Sequence, residues 1–342
     1  MKKIIVDMMG GDLAPAETVK GVALAAKELG EKATYLLVGD REQICRAAEE
    51  AGVDISSFEL VHTPSVITME DDAICVTKEK KDSSMSVGLR LLAEGQGDAF
   101  VSTGNTGALY AGSILLVRKI KGVRRPCLAA LLPMTPPVLL VDAGANVEVT
   151  PEDMEYFAVM GAVYMKHVRG LENPRVGLLN NGSEAHKGGE VQVATYQRLS
   201  QNPDLNFVGN VEGNRVMQDA CDILVTDGYT GNVFLKAMEG MGKLALHAMK
   251  NMFYSNVVTK LAALLCRKHL GAIKKNFDAR EFGGAPILGV SKPVIKSHGS
   301  SDAVAFKNAI RQALTCAEMS TTEEIAAEIA VLRAKRKASE NE

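Results

Sequence analysis

The sequence predicts an α/β protein in which a largely parallel sheet lies between two layers of helices. Short apolar segments of strand length alternate with longer segments of helical period, and the strand segments are apolar on both faces. The 342 residues, 46% of them hydrophobic, are enough to bury a large core, and no linker divides them. We therefore predict a single large α/β unit over residues 1–330, built as one body or two lobes, followed by a charged C-terminal tail at 331–342.

The strand and helix segments follow one another in regular order along the chain. The predicted pairs are 4–7 with 16–29, 35–38 with 41–51, 99–101 with 105–118, 138–141 with 151–168, 176–179 with 189–199, and 223–225 with 231–252. Thr150 and Pro151 give the clearest helix start, because threonine caps a helix and proline suits its first turn. The short segment from Pro133 to Pro137 predicts a tight connection between two adjacent strands.

An apolar segment near residues 233–275 predicts a helical hairpin. Methionines at 238, 241, 249 and 252 are followed by valines and leucines from Val257 to Leu265, all at helical spacing. The simpler interpretation is a dimer interface or a core, and the alternative is contact with a membrane surface.

Charge and cysteine content narrow the classes of partner. The formal net charge is −2, which gives no reason to expect a nucleic-acid partner. The 6 cysteines lie far apart and the histidines lack metal-ligand spacing, so we expect no metal site and a reducing, cytoplasmic environment. The first residues do not resemble a signal peptide, and no apolar stretch approaches the ~20 residues of a spanning helix.

Four glycine-rich polar loops follow predicted strands, at residues 7–12, 102–107, 142–146 and 226–232. Carboxyl ends of parallel strands lie at one rim of a sheet, so we expect these loops to meet in one crevice. Residues 101–107 and 225–231 share the pattern Val-Ser/Thr-x-Gly-x-Thr-Gly before a helix, and N–H groups at a helix start suit a phosphate. The alternative is that these are ordinary turns. Nucleotide-binding glycine motifs are absent, which favours a smaller anion.

Two further side chains could act on such an anion. Lys187 follows a predicted strand and is flanked by glycines at 188 and 189, so it could pair with a phosphate; the alternative is a solvated loop lysine. His298 precedes a predicted helix start, where a neutral imidazole could bind an oxyanion or move a proton; the alternative is a structural histidine.

Taken together, these loops resemble those of the phosphate acyltransferase family. The matching segments are 6–15, 102–107, 141–146, 209–213, 227–232, 283–289 and 298–302, and they are distributed over residues 4 to about 315. The resemblance implies a three-layer α/β/α sandwich like that of isocitrate and isopropylmalate dehydrogenases, and a homodimer. It also implies transfer of a fatty acyl group from acyl carrier protein to inorganic phosphate, which makes an acyl phosphate for phospholipid synthesis.

The resemblance and the loops together give the candidate site residues. For catalysis these are Lys187, Asp227, Asn232 and His298; for phosphate binding, Gly104, Asn105, Thr106, Gly231 and Asn232; and for substrate binding, Asp7, Gly10, Gly11, Asn146 and Ser301. We expect the N–H groups of Gly231 and Asn232 to hold phosphate or the oxyanion. A thioester is already activated, so no metal or organic cofactor is expected.

The expected partners follow from the same resemblance. Acyl carrier protein is acidic, so a basic patch should bind it, and the candidates are residues 118–125 and a second cluster of Arg267, Lys268, Lys274 and Lys275. Ordinary solvated surface is the alternative for each cluster. The apolar hairpin could also guide an acyl chain, contact the inner face of the membrane, or contact a membrane glycerol-3-phosphate acyltransferase.

Other functions compete with this one. A coenzyme A-dependent phosphate acetyl- or butyryltransferase would share the fold and the chemistry, and the acyl donor would distinguish the two. A metal-dependent dehydrogenase of the isopropylmalate type would need clustered acidic ligands and a nicotinamide pocket, neither of which the sequence indicates. A non-enzymatic scaffold has no need of so many glycine-rich loops.

Overall fold

The computed structural model describes residues 1–267, 271 and 283–340. The strands are β1 Lys2–Asp7, β2 Ala33–Gly39, β3 Glu59–His62, β4 Ala99–Ser102, β5 Cys127–Leu132, β6 Val138–Val141, β7 Arg175–Asn180, β8 Asn206–Glu212, β9 Ile223–Val225, β10 Ala285–Leu288 and β11 Val294–Lys296. The helices are α1 Ala16–Leu29, α2 Arg41–Ala51, α3 Ser84–Ala93, α4 Thr106–Gly112, α5 Pro151–Arg169, α6 Glu190–Ser200, α7 Gly228–Tyr254, α8 Val257–Leu265, α9 Ala303–Glu318 and α10 Thr321–Glu340.

All of the described strands join one sheet, in the order β3-β2-β1-β4-β11-β10-β5-β6-β9-β7-β8. The strands from β3 to β11 in this order are parallel to one another, and so are those from β6 to β8. Between the two blocks, β10 and β5 each run antiparallel to both neighbours. The two parallel blocks therefore point in opposite directions.

This reversal corrects the expectation of a largely parallel sheet with all four loops at one rim. The connection from Pro133 to Pro137 does join two adjacent strands, as predicted, but it makes an antiparallel hairpin of β5 and β6. The loops after β1 and β4 consequently lie at one end of the sheet, and those after β6 and β9 lie at the other end.

Helices cover both faces of the sheet, which confirms the predicted α/β class. Ile4 and Val6 of β1 face the core beneath α1 and α9, whereas Ile5 faces a separate core beneath α3 and α4. In the other block, α5 packs on one face and the start of α7 packs on the opposite face. Successive strand residues point to opposite faces, so a strand covered on both sides must be apolar throughout.

The C-terminal helix packs against the body beyond residue 330. Residues 331–340 continue α10 and do not form a separate tail, and Leu332 is buried. Arg336 donates to the carboxylate of Glu155, which is fully buried and also accepts from Arg198 at 3.0 Å. These contacts tie the last described helix to α5 and α6.

The apolar segment predicted as a hairpin forms most of α7 and all of α8, and its residues 268–270 and 272–275 lie outside the described residues. Its apolar side chains are largely exposed: Val233, Met241, Leu244, Met252, Tyr254, Val257, Val258, Leu261, Leu264 and Leu265. Among the helices described here, none has an apolar stretch long enough to cross a bilayer.

Candidate active site

A buried polar cluster lies where β1, β4 and β11 end, and we call it the Asp7 cluster. The Asp7 carboxylate accepts from the N–H groups of Met9 and Gly10, each at 3.2 Å, and from the hydroxyl of Ser102 at 2.6 Å. Ser102 Oγ in turn accepts from Gly104 N at 3.0 Å. One carboxylate therefore fixes the loop after β1 against the loop after β4.

Glycine is required where these two loops meet. A Cβ on Gly10 would lie 2.7 Å from the backbone N of Gly104, and a Cβ on Gly11 would lie 2.6 Å from Thr103 Oγ1. Gly11 also has a φ of +94°, in the region that favours glycine. The predicted substrate-binding residues Asp7, Gly10 and Gly11 thus lie where the loop after β1 contacts the loop after β4.

Lys296, at the end of β11, adds a buried positive charge to the Asp7 cluster. Its Nζ donates to the backbone O of Thr103 at 3.2 Å and also to the backbone O of Ser297. Burial lowers the pKa of Lys296 to about 8, although the negative charges of Asp7 and Asp12 oppose this shift. The sequence analysis assigns no role to Lys296, and its position at a strand end, two residues before His298, is the sequence feature that indicates one.

His298 lies on the same loop with its imidazole exposed. Its Nδ1 accepts from Ser300 N at 3.2 Å and lies 2.9 Å from Ser300 Oγ, so the proton of the neutral ring is on Nε2. Partial burial and the ammonium of Lys236 on α7 lower the pKa of His298. Ser301, also predicted from the sequence, is buried with its Oγ 2.8 Å from Ser297 Oγ.

A second polar cluster, the Asp142 cluster, lies where β6 and β9 end. Fully buried Asp142 accepts from the N–H groups of Leu128, Gly144, Ala145 and Asn146 and from the side-chain amide of Asn146, at 2.7–3.1 Å. Burial raises the pKa of Asp142 despite these bonds. Asn146 also accepts from Tyr110 OH at 2.9 Å, which connects this cluster to α4.

The start of α7 packs directly on the Asp142 cluster. Asp227 caps the helix by accepting from Thr230 N at 2.8 Å, and Gly228 N donates to Asn146 O at 2.7 Å. The side chain of Asn232 is exposed and lies against Gly144. Lys236, one turn further along α7, lies close enough to His298 of the Asp7 cluster for its ammonium to lower the pKa of that imidazole.

Lys187 lies on the turn after β7, at the same end of the sheet as the Asp142 cluster. Its backbone O accepts from the side-chain amide of Asn180 at 3.0 Å, and its aliphatic stem covers Gly182. Among the described residues, no acceptor is bonded to its ammonium. Beside this turn, a cleft of ≈ 550 Å³ separates Asn180 and Gly188 from Thr230 and Phe234 of α7.

Three groups predicted to contact phosphate are already hydrogen-bonded within the chain. The N–H of Gly231 donates to Asp227 O at 2.9 Å, and Asn232 lies inside α7, where N–H groups bond to the preceding turn. The Asn105 side chain caps α4 through Ala108 N and donates to carbonyl oxygens of residues 68, 69 and 71. We therefore correct the predicted N–H cradle at Gly231 and Asn232, which leaves the exposed amide of Asn232 as the group that can reach a ligand.

The remaining predicted residues divide between the two clusters. Gly104 and Thr106 lie with Asn105 at the Asp7 cluster, beside His298 and Ser301. Asn146, Asp227, Gly231 and Asn232 lie at the Asp142 cluster. Within the described ranges, no group of His, Cys, Asp and Glu side chains is arranged to hold a metal ion.

Comparison with known proteins gives a consistent set of relatives. Residues 2–324 match the family model described as "Fatty acid synthesis protein". Proteins named phosphate acyltransferase from Thermoanaerobacterium thermosaccharolyticum and Acetivibrio thermocellus are 43% and 45% identical, over 96% and 94% of this chain and 97% and 95% of their own lengths. One from Clostridioides difficile is 40% identical over 99% of this chain and 100% of its own.

Solved structures with a similar fold share much less of the sequence. A phosphotransacetylase from Streptococcus pyogenes superposes with a TM-score of 0.61 at 16% identity, over 93% of this chain and 94% of its own. A branched-chain phosphotransacylase from Enterococcus faecalis gives 0.56 at 15% identity, over 93% and 99%. These likenesses concern the fold. The near-full-length sequence matches show that this chain belongs to the phosphate acyltransferase family, a family of acyltransferases.

Proposed function

We propose that this enzyme transfers a fatty acyl group from acyl carrier protein to inorganic phosphate and so forms the acyl phosphate used in phospholipid synthesis. One observation carries the proposal: the chain is 43% identical, over 96% of its length, to a protein named phosphate acyltransferase. The two polar clusters add support, because each holds glycine-rich turns next to side chains that suit an anion.

Phosphate itself is the nucleophile in this reaction. A phosphate oxygen bonds to the thioester carbonyl carbon, the carbon–sulfur bond then breaks, and the thiolate leaves with the electron pair. The protein must align the two reactants and stabilise the oxyanion that forms between these steps. The bonds formed and broken in these steps require no cofactor.

Named side chains fit these tasks. His298 has a lowered pKa and is therefore neutral at physiological pH, so its Nε2–H can donate to phosphate or to the oxyanion. Lys187 and the exposed amide of Asn232 can stabilise charge on the thioester oxygen, and Asp227 holds the start of α7 in place.

Lys187→Ala and Asn232→Ala should each lower acyl phosphate formation at least about tenfold, with folding unchanged. Activity equal to that of the parent in both variants would contradict these roles.

The basic segment 118–125 favours acyl carrier protein as the donor over coenzyme A. Arg118, Lys119, Lys121 and Arg125 are exposed, whereas Arg124 is held by Asp153. Exposed, unpaired basic side chains attract an acidic protein through long-range charge. In the second predicted cluster, Lys268, Lys274 and Lys275 lie outside the described residues.

We further propose that α7 and α8 form a surface that contacts a second copy of the chain or another partner. Their row of exposed apolar side chains suits a homodimer interface, and the alternative is peripheral contact with the inner face of the membrane or with a membrane glycerol-3-phosphate acyltransferase. Light scattering at several concentrations, together with flotation on vesicles of anionic lipid, would separate these arrangements. A cytoplasmic location follows from the same proposal.

One assay separates the leading functions. Purified protein is mixed with phosphate and either an acyl carrier protein thioester or the same acyl coenzyme A, and free thiol and acyl phosphate are followed together. We expect phosphate-dependent thiol release and equal acyl phosphate formation, faster with acyl carrier protein. A preference for coenzyme A would favour the alternative transferase, and no product with either donor would refute the proposed activity.

A further inference from the structure

Lys296 places a buried ammonium group between two loops of the Asp7 cluster. The residue ends β11, pairs with Ser102 of β4, and is only 7% exposed. Its two hydrogen bonds go to the uncharged carbonyl oxygens of Thr103 and Ser297. A buried ammonium is costly unless its charge is balanced, and carbonyl oxygens do this only in part.

The nearby carboxylates do not balance this charge by contact. Asp7 and Asp12 act on Lys296 through space, and no carboxylate of the described residues forms an ion pair with its ammonium. The oxygens of Asp7 are instead occupied by Met9 N, Gly10 N and the hydroxyl of Ser102. A buried cation without a contacting anion therefore lies among the glycine-rich loops, on the side of the sheet where His298 is found.

We propose that Lys296 binds the phosphate substrate, with the inorganic phosphate dianion as the counter-ion of its ammonium. The inference rests on the proposed function and deepens it by naming the cation. Two of the ammonium hydrogens are donated to the backbone oxygens of Thr103 and Ser297, so the third can be donated to a phosphate oxygen. His298 follows on the same loop, which brings its imidazole beside a phosphate bound there.

The direct test measures binding of inorganic phosphate by calorimetry, without any acyl donor. Lys296→Met removes the charge and keeps an apolar stem, and Lys292→Met, on the segment before β11, is the matched control. We expect Lys296→Met to weaken phosphate binding at least about tenfold and Lys292→Met to change it less than about twofold. Lys296→Arg should restore part of the affinity. Phosphate affinity equal to the parent in folded Lys296→Met overturns the proposal.

A second measurement on the unaltered protein covers the case in which Lys296→Met fails to fold. From about pH 7.5 to about pH 9.5, phosphate stays largely a dianion while Lys296 loses its proton, so phosphate affinity should fall and binding should take up a proton. The charged groups that act on Lys296 are the carboxylates of Asp7 and Asp12, and His298, whose pKa is lowered, stays neutral across this range. Affinity that is constant across this range contradicts the proposal.

Kinetics distinguish failure of this inference from failure of the proposed function. Lys296→Met should raise KM for phosphate and leave KM for the acyl donor nearly unchanged. Equal increases in both would indicate a general structural role and overturn the assignment. If the parent forms no acyl phosphate with any donor, the proposed function fails, but calorimetry with phosphate still decides whether Lys296 binds the anion.

Discussion

Gly231 lies so close to Asp142 that a Cβ atom on it would be 1.9 Å from the backbone oxygen of Asp142. The first turn of α7 can therefore rest on the loop after β6 only if residue 231 has no side chain. This contact brings the exposed amide of Asn232 against Gly144 and sets the direction in which α7 leaves the Asp142 cluster.

Gly231→Ala should displace the start of α7. The opposing atom belongs to the backbone and cannot rotate away, so we expect a loss of about 1–3 kcal/mol in the free energy of unfolding and a large loss of activity. Gly240→Ala, in the same helix with nothing within 4 Å of the added Cβ, is the control and should be neutral or slightly stabilising. Urea unfolding and activity are measured for both variants; equal effects would show that the contact is unimportant.

His298 should control the acid side of the pH profile. Its pKa is lowered, so the neutral form persists below the usual value of 6.5 and activity should fall only at more acidic pH. His298→Asn should slow the reaction by about 100-fold or more and remove this acid limb. The rate is measured from about pH 5 to about pH 8 with saturating acyl donor and a constant concentration of phosphate dianion, because phosphate itself takes up a proton in this range. An acid limb that survives in His298→Asn would belong to another group.

The sequence predicts most strands of this sheet because buried parallel strands carry continuous apolar runs. β3 escapes prediction because Glu59 and His62 of this edge strand are exposed, so it has no such run. The sequence also does not predict the direction of the second parallel block. The short connection 133–137 predicts that two adjacent strands pair, but the position of that pair in the sheet depends on contacts between residues distant in sequence.

The sequence predicts that the candidate residues follow strands, which the structure confirms, but it predicts one crevice where the structure has two clusters. The sequence predicts that Asn105 binds phosphate, whereas its amide donates to carbonyl oxygens of residues 68, 69 and 71, more than thirty positions away in sequence. No local pattern distinguishes an amide that binds a ligand from one that binds such a loop.

Asp153 should contribute stability that depends on pH. Burial raises its pKa, but the Arg124 guanidinium and the hydrogen bonds of Thr150 outweigh this, and the net pKa is lowered from 3.8. A lowered folded-state pKa means that the stabilisation is complete above the unfolded value and is lost as pH falls through the folded value. Asp153→Ala should therefore cost about 1–3 kcal/mol near pH 7 and clearly less near pH 3. Urea unfolding at both values tests this, and an equal cost at the two would contradict it.

Reversing charge in the exposed basic segment should weaken binding of acyl carrier protein specifically. Arg118 and Lys121 are exposed, and no hydrogen bond or ion pair links either side chain to the described residues, so the double change Arg118→Glu and Lys121→Glu leaves the core intact. We expect KM for the acyl carrier protein thioester to rise about tenfold or more and KM for the coenzyme A thioester to stay within about twofold. Added salt should raise KM of the parent for the carrier protein and affect the variant much less. Because coenzyme A reaches the same catalytic groups without a protein surface, equal increases for both donors would place the damage at the active site and contradict docking at this segment.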